Sequence, residues 1–214
     1  MLKIILKDKK SKTSFEIENS TDYEGVLEIC IKRVAQERVL RIAESIRMLG
    51  ELDSNIKTTA MLTQLEAVSS DYVDEFSGDE LEESEWLEGL EIVCAGEPSE
   101  IETFENARSS GCSLKDWIEA YEDLDLHQRA VLYWHIVYCG DSLSTAVSKL
   151  DDTIIYSDNL RNAAELIYDD NYLESIPEHS KNLIDYEHFA YCMRVGGDLC
   201  EFQFAGKTWT AENR

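Results

Sequence analysis

No lysine or arginine occurs between Asp71 and Ala107, a stretch that holds 14 carboxylates. Over the whole 214-residue chain, 44 acidic residues face 20 basic ones, for a formal net charge of −24. The imbalance is local. Residues 1–70 carry 11 of each sign, whereas residues 71–214 carry 33 acidic and 9 basic side chains. So few cations over so long a stretch exclude ordinary nucleic-acid binding, because phosphate is repelled.

Other absences narrow the reading further. No apolar run approaches 18 residues, so the sequence predicts no transmembrane helix. The opening Met1-Leu-Lys-Ile-Ile-Leu-Lys-Asp is too short and too alternating in its apolar part to read as a signal peptide. The six cysteines (Cys30, Cys94, Cys112, Cys139, Cys192 and Cys200) include no CxxC, and no spacing with histidine reads as a zinc site. They read as small hydrophobes in a reducing compartment, which predicts a cytoplasmic location. Gly-x-Ser-x-Gly, the P-loop and GxGxxG are all missing. Asp169-Asp-Asn171 begins like a calcium loop but lacks the glycine at position six. His127 and His135 lie eight apart on one predicted helix, where satisfied or surface histidines are the simpler reading. His188 follows Asp185 and Glu187, but no metal spacing completes them. The sequence therefore points away from catalysis, and to neither cofactor nor metal.

What is present is a folded, acidic chain. Hydrophobic residues make up 43%, and Trp86, Trp117, Trp134 and Trp209 run through the acidic part. An acidic disordered tail would lack such aromatics. A charge run is ordinarily a solvated face that keeps a protein soluble. The density here allows a second reading. Duplex DNA carries about one charge per 1.7 Å, so 24 charges match ~40 Å of duplex, about 12 base pairs. That is close to the width of a compact globule of this size. Such a surface looks like nucleic acid to a protein that binds nucleic acid.

The pattern along the chain predicts an α+β fold: an elongated chain of small mixed modules, short helices with small antiparallel sheets. Leu2, Ile4 and Leu6 alternate with Lys3 and Lys7, though Ile5 breaks the strict pattern; Phe15 and Ile17 alternate with Glu16 and Glu18, and the intervening polar segment predicts a hairpin. Thr21 and Glu24 form a capping-box pattern that starts a helix near Asp22. Glu28–Lys32 is ambiguous between helix and strand. Val39, Ile42, Ala43, Ile46 and Leu49 have helical spacing. Residues 60–67 have helical propensity, 77–80 form a break, 80–90 read as a helix and 90–94 as a strand. Further on, Ser113 starts a helix, Asp125 caps one ended by Gly140, Asp141 or Ser142 caps a short one, and Asp158 or Asn159 caps a fourth. Thr153–Tyr156 is β-prone. A last helix covers 184–193, and two strands follow around Leu199–Phe204 and Trp209. The expected organisation is a charge-neutral module over 1–70, an acidic connecting segment over 71–98, a helical module over 99–157 and an α+β module over 158–214.

From about Ile101 to the end, the chain resembles the ArdA-type antirestriction proteins of conjugative plasmids and transposons. The likeness rests on Asp151-Asp-Thr-Ile-Ile-Tyr156, Ala164-Glu-Leu-Ile-Tyr168, Ile176-Pro-Glu-His179 and Leu183-Ile-Asp-Tyr-Glu-His-Phe-Ala190. The last is similar to the family's recurrent Tyr-Ile-Asp-Tyr-Glu element. The first 95 residues do not match the family's usual amino-terminal module. The resemblance implies an elongated, dimeric DNA mimic that occupies the DNA-binding groove of type I restriction–modification enzymes, contacting their specificity and modification subunits. Its phosphate-mimicking carboxylates would be Asp116, Glu119, Glu122, Asp123, Asp125, Asp151, Asp152, Asp158, Glu165, Asp169, Asp170, Glu174 and Glu178. Its dimer contact would involve Ile176, Pro177, Ile184, Tyr186 and Phe189.

Two rival readings stay open on the residues alone. Mimicry by charge is generic, so a CRISPR effector, a repressor or a nucleoid protein would present the same kind of positive groove. Alternatively, the neutral amino-terminal module carries the specific binding. Its Lys7–Lys12 cluster could touch nucleic acid or an acidic face, although a solvated hairpin turn is the simpler reading. Inhibition that survives deletion of residues 1–70 would remove that reading.

Overall fold

The computed structural model describes residues 2–9, 13–52 and 83–213. The predicted helix at 60–67, the break at 77–80 and half of the Lys7–Lys12 cluster, residues 10–12, lie outside these residues. The fold is α+β, with two three-stranded sheets among the described residues. The chain divides after Cys94 into two compact units.

In the first unit, β1 (Lys3–Asp8) and β2 (Ser14–Ile17) pair antiparallel, with Ile4 opposite Ile17 and Leu6 opposite Phe15. Alternation puts Ile4, Leu6 and Ile17 in the core. A helix, α1 (Ser20–Leu52), follows. It starts two residues before the predicted point. Asn19 Oδ1 accepts the Asp22 N–H at 2.9 Å, and the Asp22 carboxylate accepts the Glu18 N–H at 3.1 Å. The cap is thus Asn19 with Asp22, not Thr21 with Glu24. Glu28–Lys32 is helical, and the β-branched Ile31 packs inward beside Tyr23, Val26 and Cys30.

The helix predicted over 80–90 ends earlier than expected. Among the described residues only α2 (Glu83–Trp86) is helical, and Leu90 already opens β3 (Leu90–Ala95). Gly89 takes φ 79, which ends the helical path. β3 joins β1, giving the strand order β2-β1-β3. Local propensity left Leu90 in either element; pairing with β1 decides for the strand. Arg33 of α1 fastens this corner. Its guanidinium donates to the carbonyls of Trp86 and Glu88 at 3.2 and 3.0 Å, and lies 3.6 Å from the Asp8 carboxylate.

The second unit begins with α3 (Pro98–Ser109). Proline suits its first turn, where the missing N–H costs nothing. Next come α4 (Leu114–Tyr121), capped by Ser113, and α5 (Leu126–Tyr133), capped by Asp125 with the reciprocal Gln128 bond. The chain continues as a π-helix over Trp134–Cys139 and stops at Gly140, φ 73. Then follow α6 (Leu143–Ser148), capped by Ser142; β4 (Ile155–Tyr156); and α7 (Leu160–Tyr172), capped by Asn159. Two short 3-10 turns, Leu173–Ser175 and Glu178–Leu183, lead to α8 (Tyr186–Gly196). Last come β5 (Leu199–Phe204) and β6 (Lys207–Glu212), joined at Ala205 and Gly206, both with positive φ.

The second sheet has the order β4-β6-β5. Its inner face presents Phe202, Phe204, Trp209 and Ala211 to Ala130, Val131, Tyr133 and Trp134. The Trp209 indole donates to the Phe204 carbonyl at 3.1 Å, so its polar edge is satisfied in the core. Residues from both 99–157 and 158–214 therefore build one core. A smaller cluster of Ala164, Ala190 and Leu199 seats α7 and α8 against β5.

Candidate partner-binding surface

In the second unit the acidic residues fall into three groups. One carboxylate is buried and structural. Glu100, 3% exposed, accepts the Tyr121 hydroxyl at 2.8 Å and pairs with Arg129 at 3.3 Å. Arg129 also lies over the Tyr121 ring, 4.7 Å from its centroid. Burial, and then the bond to Glu100, hold the Tyr121 hydroxyl well above its ordinary pKa. This knot welds α3, α4 and α5, and nothing in the spacing of residues 100, 121 and 129 foretold it.

A second group is tied to the unit's own few cations or to its caps. Glu119 pairs with Lys115, Glu165 with Arg161, and Glu178 with Lys181. Asp125 accepts the Gln128 N–H at 2.8 Å. Asp158 accepts the Asn159 N–H and the Asn162 amide, both at 2.8 Å. Asp169 accepts the Tyr186 hydroxyl at 2.7 Å, which raises that phenol to about 12. Glu122, half-buried at the end of α4, has its own partners.

The third group is exposed: Asp116, Asp123, Asp151, Asp152, Asp170 and Glu174. No lysine or arginine among the described residues pairs with any of them. Each sits where the backbone holds it: Asp116 in the first turn of α4, Asp123 between α4 and α5, Asp151 and Asp152 in the turn before β4, Asp170 and Glu174 at the end of α7 and just after it. Asp116 favours a helix N-terminus electrostatically. Glu97 and Glu105 of the α3 region are likewise exposed and without a paired cation among the described residues. Their place in the cation-free stretch was the available sequence signal for them. Asp116 and Glu119 also line an open cleft of about 610 Å³, facing Ser142, Ser144 and Leu143.

Of the residues expected at a dimer contact, Ile176, Ile184 and Phe189 gather in one groove. They line its volume of about 480 Å³ with Tyr168 and Leu183, and Leu183 is 81% exposed. Tyr186 faces inward to Asp169 and the Tyr168 ring instead, and Pro177 starts the second 3-10 turn on the exterior.

His127 and His135 are not brought together. His127 Nε2 lies 3.0 Å from the Ile155 carbonyl, while His135, 7% exposed, bridges Asp141 and Thr153. One group of three metal-ligand types does converge among the described residues: His135, Cys139 and Asp141. All six cysteines are free thiols, and no described helix is long and apolar enough to cross a membrane. No family model, no curated protein and no solved structure matches this chain.

Proposed function

We propose that this chain is an antirestriction protein of the ArdA type, an acidic DNA mimic that occupies the DNA-binding groove of type I restriction–modification enzymes. The observation that carries the reading is the state of the carboxylates in the second unit. Its cations are few and largely engaged within the unit, which leaves exposed carboxylates in excess. Such groups serve as stand-ins for phosphate toward a partner's lysines and arginines. The residue resemblance over 101–214 supplies the enzyme class.

In this mechanism, Asp116, Asp123, Asp151, Asp152, Asp170 and Glu174 meet the partner's cations first, because no internal pair must break. Glu119, Glu165 and Glu178 contribute after exchanging a local cation. The cleft beside Asp116 and Glu119 has room for one long basic side chain. Each exposed pair contributes about 0.2–1 kcal/mol, so affinity is a sum over many contacts and no single carboxylate is critical. Displaced counterions make binding fall steeply with salt. The groove lined by Ile176, Ile184 and Phe189 serves as the homodimer face, and the free thiols suit a cytoplasmic protein. The protein acts by occupancy, without catalysis.

The test is competition for DNA by a purified specificity-plus-modification core, titrated with this protein at two salt concentrations. Displacement near stoichiometry that weakens sharply at higher salt is expected. No displacement at either salt would remove this target and leave another basic DNA-binding protein as the partner.

A further inference from the structure

The π-helix at the end of α5 produces a side-chain cluster that the mimicry reading does not use. His135 and Cys139, four residues apart, share one face of this π-helix, and such turns often mark functional sites. Gly140, in the left-handed region, then folds the chain back, so that the Asp141 N–H reaches the His135 carbonyl at 2.9 Å. The ligand atoms of His135, Cys139 and Asp141 consequently lie within 4.8 Å of one another.

A second observation concerns the far side of the imidazole. The Thr153 hydroxyl oxygen lies 2.8 Å from both the Lys149 carbonyl and His135 Nε2. The Lys149 carbonyl already accepts the N–H groups of Asp152 and Thr153, so the hydroxyl can give its hydrogen to Nε2, with Nδ1–H donating to Asp141 at 2.9 Å. Turned instead to the Lys149 carbonyl, the hydroxyl accepts from Nε2–H, and the Nδ1 lone pair then faces Asp141, where a metal ion can bind both. An outer acceptor for the second ring N–H is also how metal-ligating histidines are ordinarily held.

We propose that His135 Nδ1, Cys139 Sγ and an Asp141 carboxylate oxygen form a binding site for a thiophilic divalent cation of the zinc type. Mixed N, S and O donors at short range suit zinc. In a tetrahedral site the donors stand ~3–4 Å apart, given metal–ligand bonds of about 2.0–2.3 Å. Cys139 is exposed and reaches that spacing by rotating its side chain; water fills the fourth position. On binding, the Cys139 thiol releases its proton to solvent, and the neutral imidazole carries its one hydrogen on Nε2, where the Thr153 oxygen accepts it. The Lys149 ammonium, 2.8 Å from Asp141, leaves the carboxylate. The ion would clamp the end of the π-helix to the Gly140 turn. The spacing His135-x-x-x-Cys139-x-Asp141 was the sequence signal, hidden because no second such pair completes a familiar motif.

The test is a cobalt(II) titration of the full chain, stripped with chelator and kept reduced, read by absorption. A thiolate-to-cobalt charge-transfer band is expected at one equivalent, displaced by zinc. Cys139→Ser should abolish the band and weaken zinc binding by more than about tenfold. Lys149→Met should strengthen binding, because the competing ammonium is gone. Cys139 is exposed and Lys149 half-buried, so both variants keep the core. No band in the wild-type chain, a band that survives Cys139→Ser, or unchanged affinity in Lys149→Met would overturn the site.

Discussion

The hairpin and long helix of the first unit and the helical and sheet core of the second use the same local chemistry and dispose of charge in opposite ways. In the hairpin and long helix of the first, several charges pair near at hand. Lys3 bridges Glu16 and Glu18, Lys32 meets Glu28, and Arg33 meets Asp8. In the second, cations are scarce, and Arg129 is spent on a buried carboxylate while exposed acids go without. The comparison teaches that net charge alone does not make a charged surface. What matters is how many charges the fold itself consumes.

The largest expected effect separates the two units as folding entities. Trp209→Ala should lower the stability of the second unit by about 3–5 kcal/mol, since the indole is fully packed against Ala130, Val131 and Trp134. Urea melts of the variant should show a first transition for residues 95–214 and leave that of the first unit in place. One cooperative transition shifted as a whole would erase the distinction.

Next comes the buried pair. Glu100→Gln removes the charge that balances Arg129 and should cost about 3 kcal/mol in chemical denaturation. The matching change in the first unit, Glu28→Gln, disrupts only an exposed i,i+4 pair and should leave the midpoint unmoved. Equal effects would mean that burial does not set the weight of these pairs.

Function gives the third contrast. Converting Asp116, Asp123, Asp151, Asp152, Asp170 and Glu174 together to amides should weaken DNA displacement at least about tenfold and flatten its salt dependence, with stability kept. Amides at Glu16, Glu18 and Glu28 should change neither.

The smallest effect is alkaline. Tyr186 is raised to about 12 by the bond to Asp169, so its folded pKa lies above its unfolded value near 10. Stability from that contact is complete below pH 10 and is lost as pH rises toward 12. Tyr186→Phe should remove this limb from melting curves of the full chain, while leaving neutral-pH helicity unchanged.

Much of this fold was legible in order along the chain. Ser113, Asp125 and Asn159 cap helices because a short polar side chain before an apolar periodic run has few better uses, and Gly140 ends one because its φ is positive. The exposed Asp123, Asp170 and Glu174 were legible too, as acids with no base nearby in sequence. The short helix before Gly89 was misread, because Leu90 belongs to a strand that only its pairing with β1 defines. Glu100 was invisible as a buried group, since its partners Tyr121 and Arg129 lie 21 and 29 residues away.

The sequence by itself determined the sign and placement of the charge, the α+β class and the helix boundaries set by caps and glycines, because these depend on neighbours within a few residues. The tertiary structure decided which carboxylates are spent on the protein and which face outward. It also decided the sharing of one core by residues 130–134 and 202–211, and the convergence of His135 with Thr153 and Asp141. Those outcomes rest on contacts between residues far apart in the chain, and no local propensity records them.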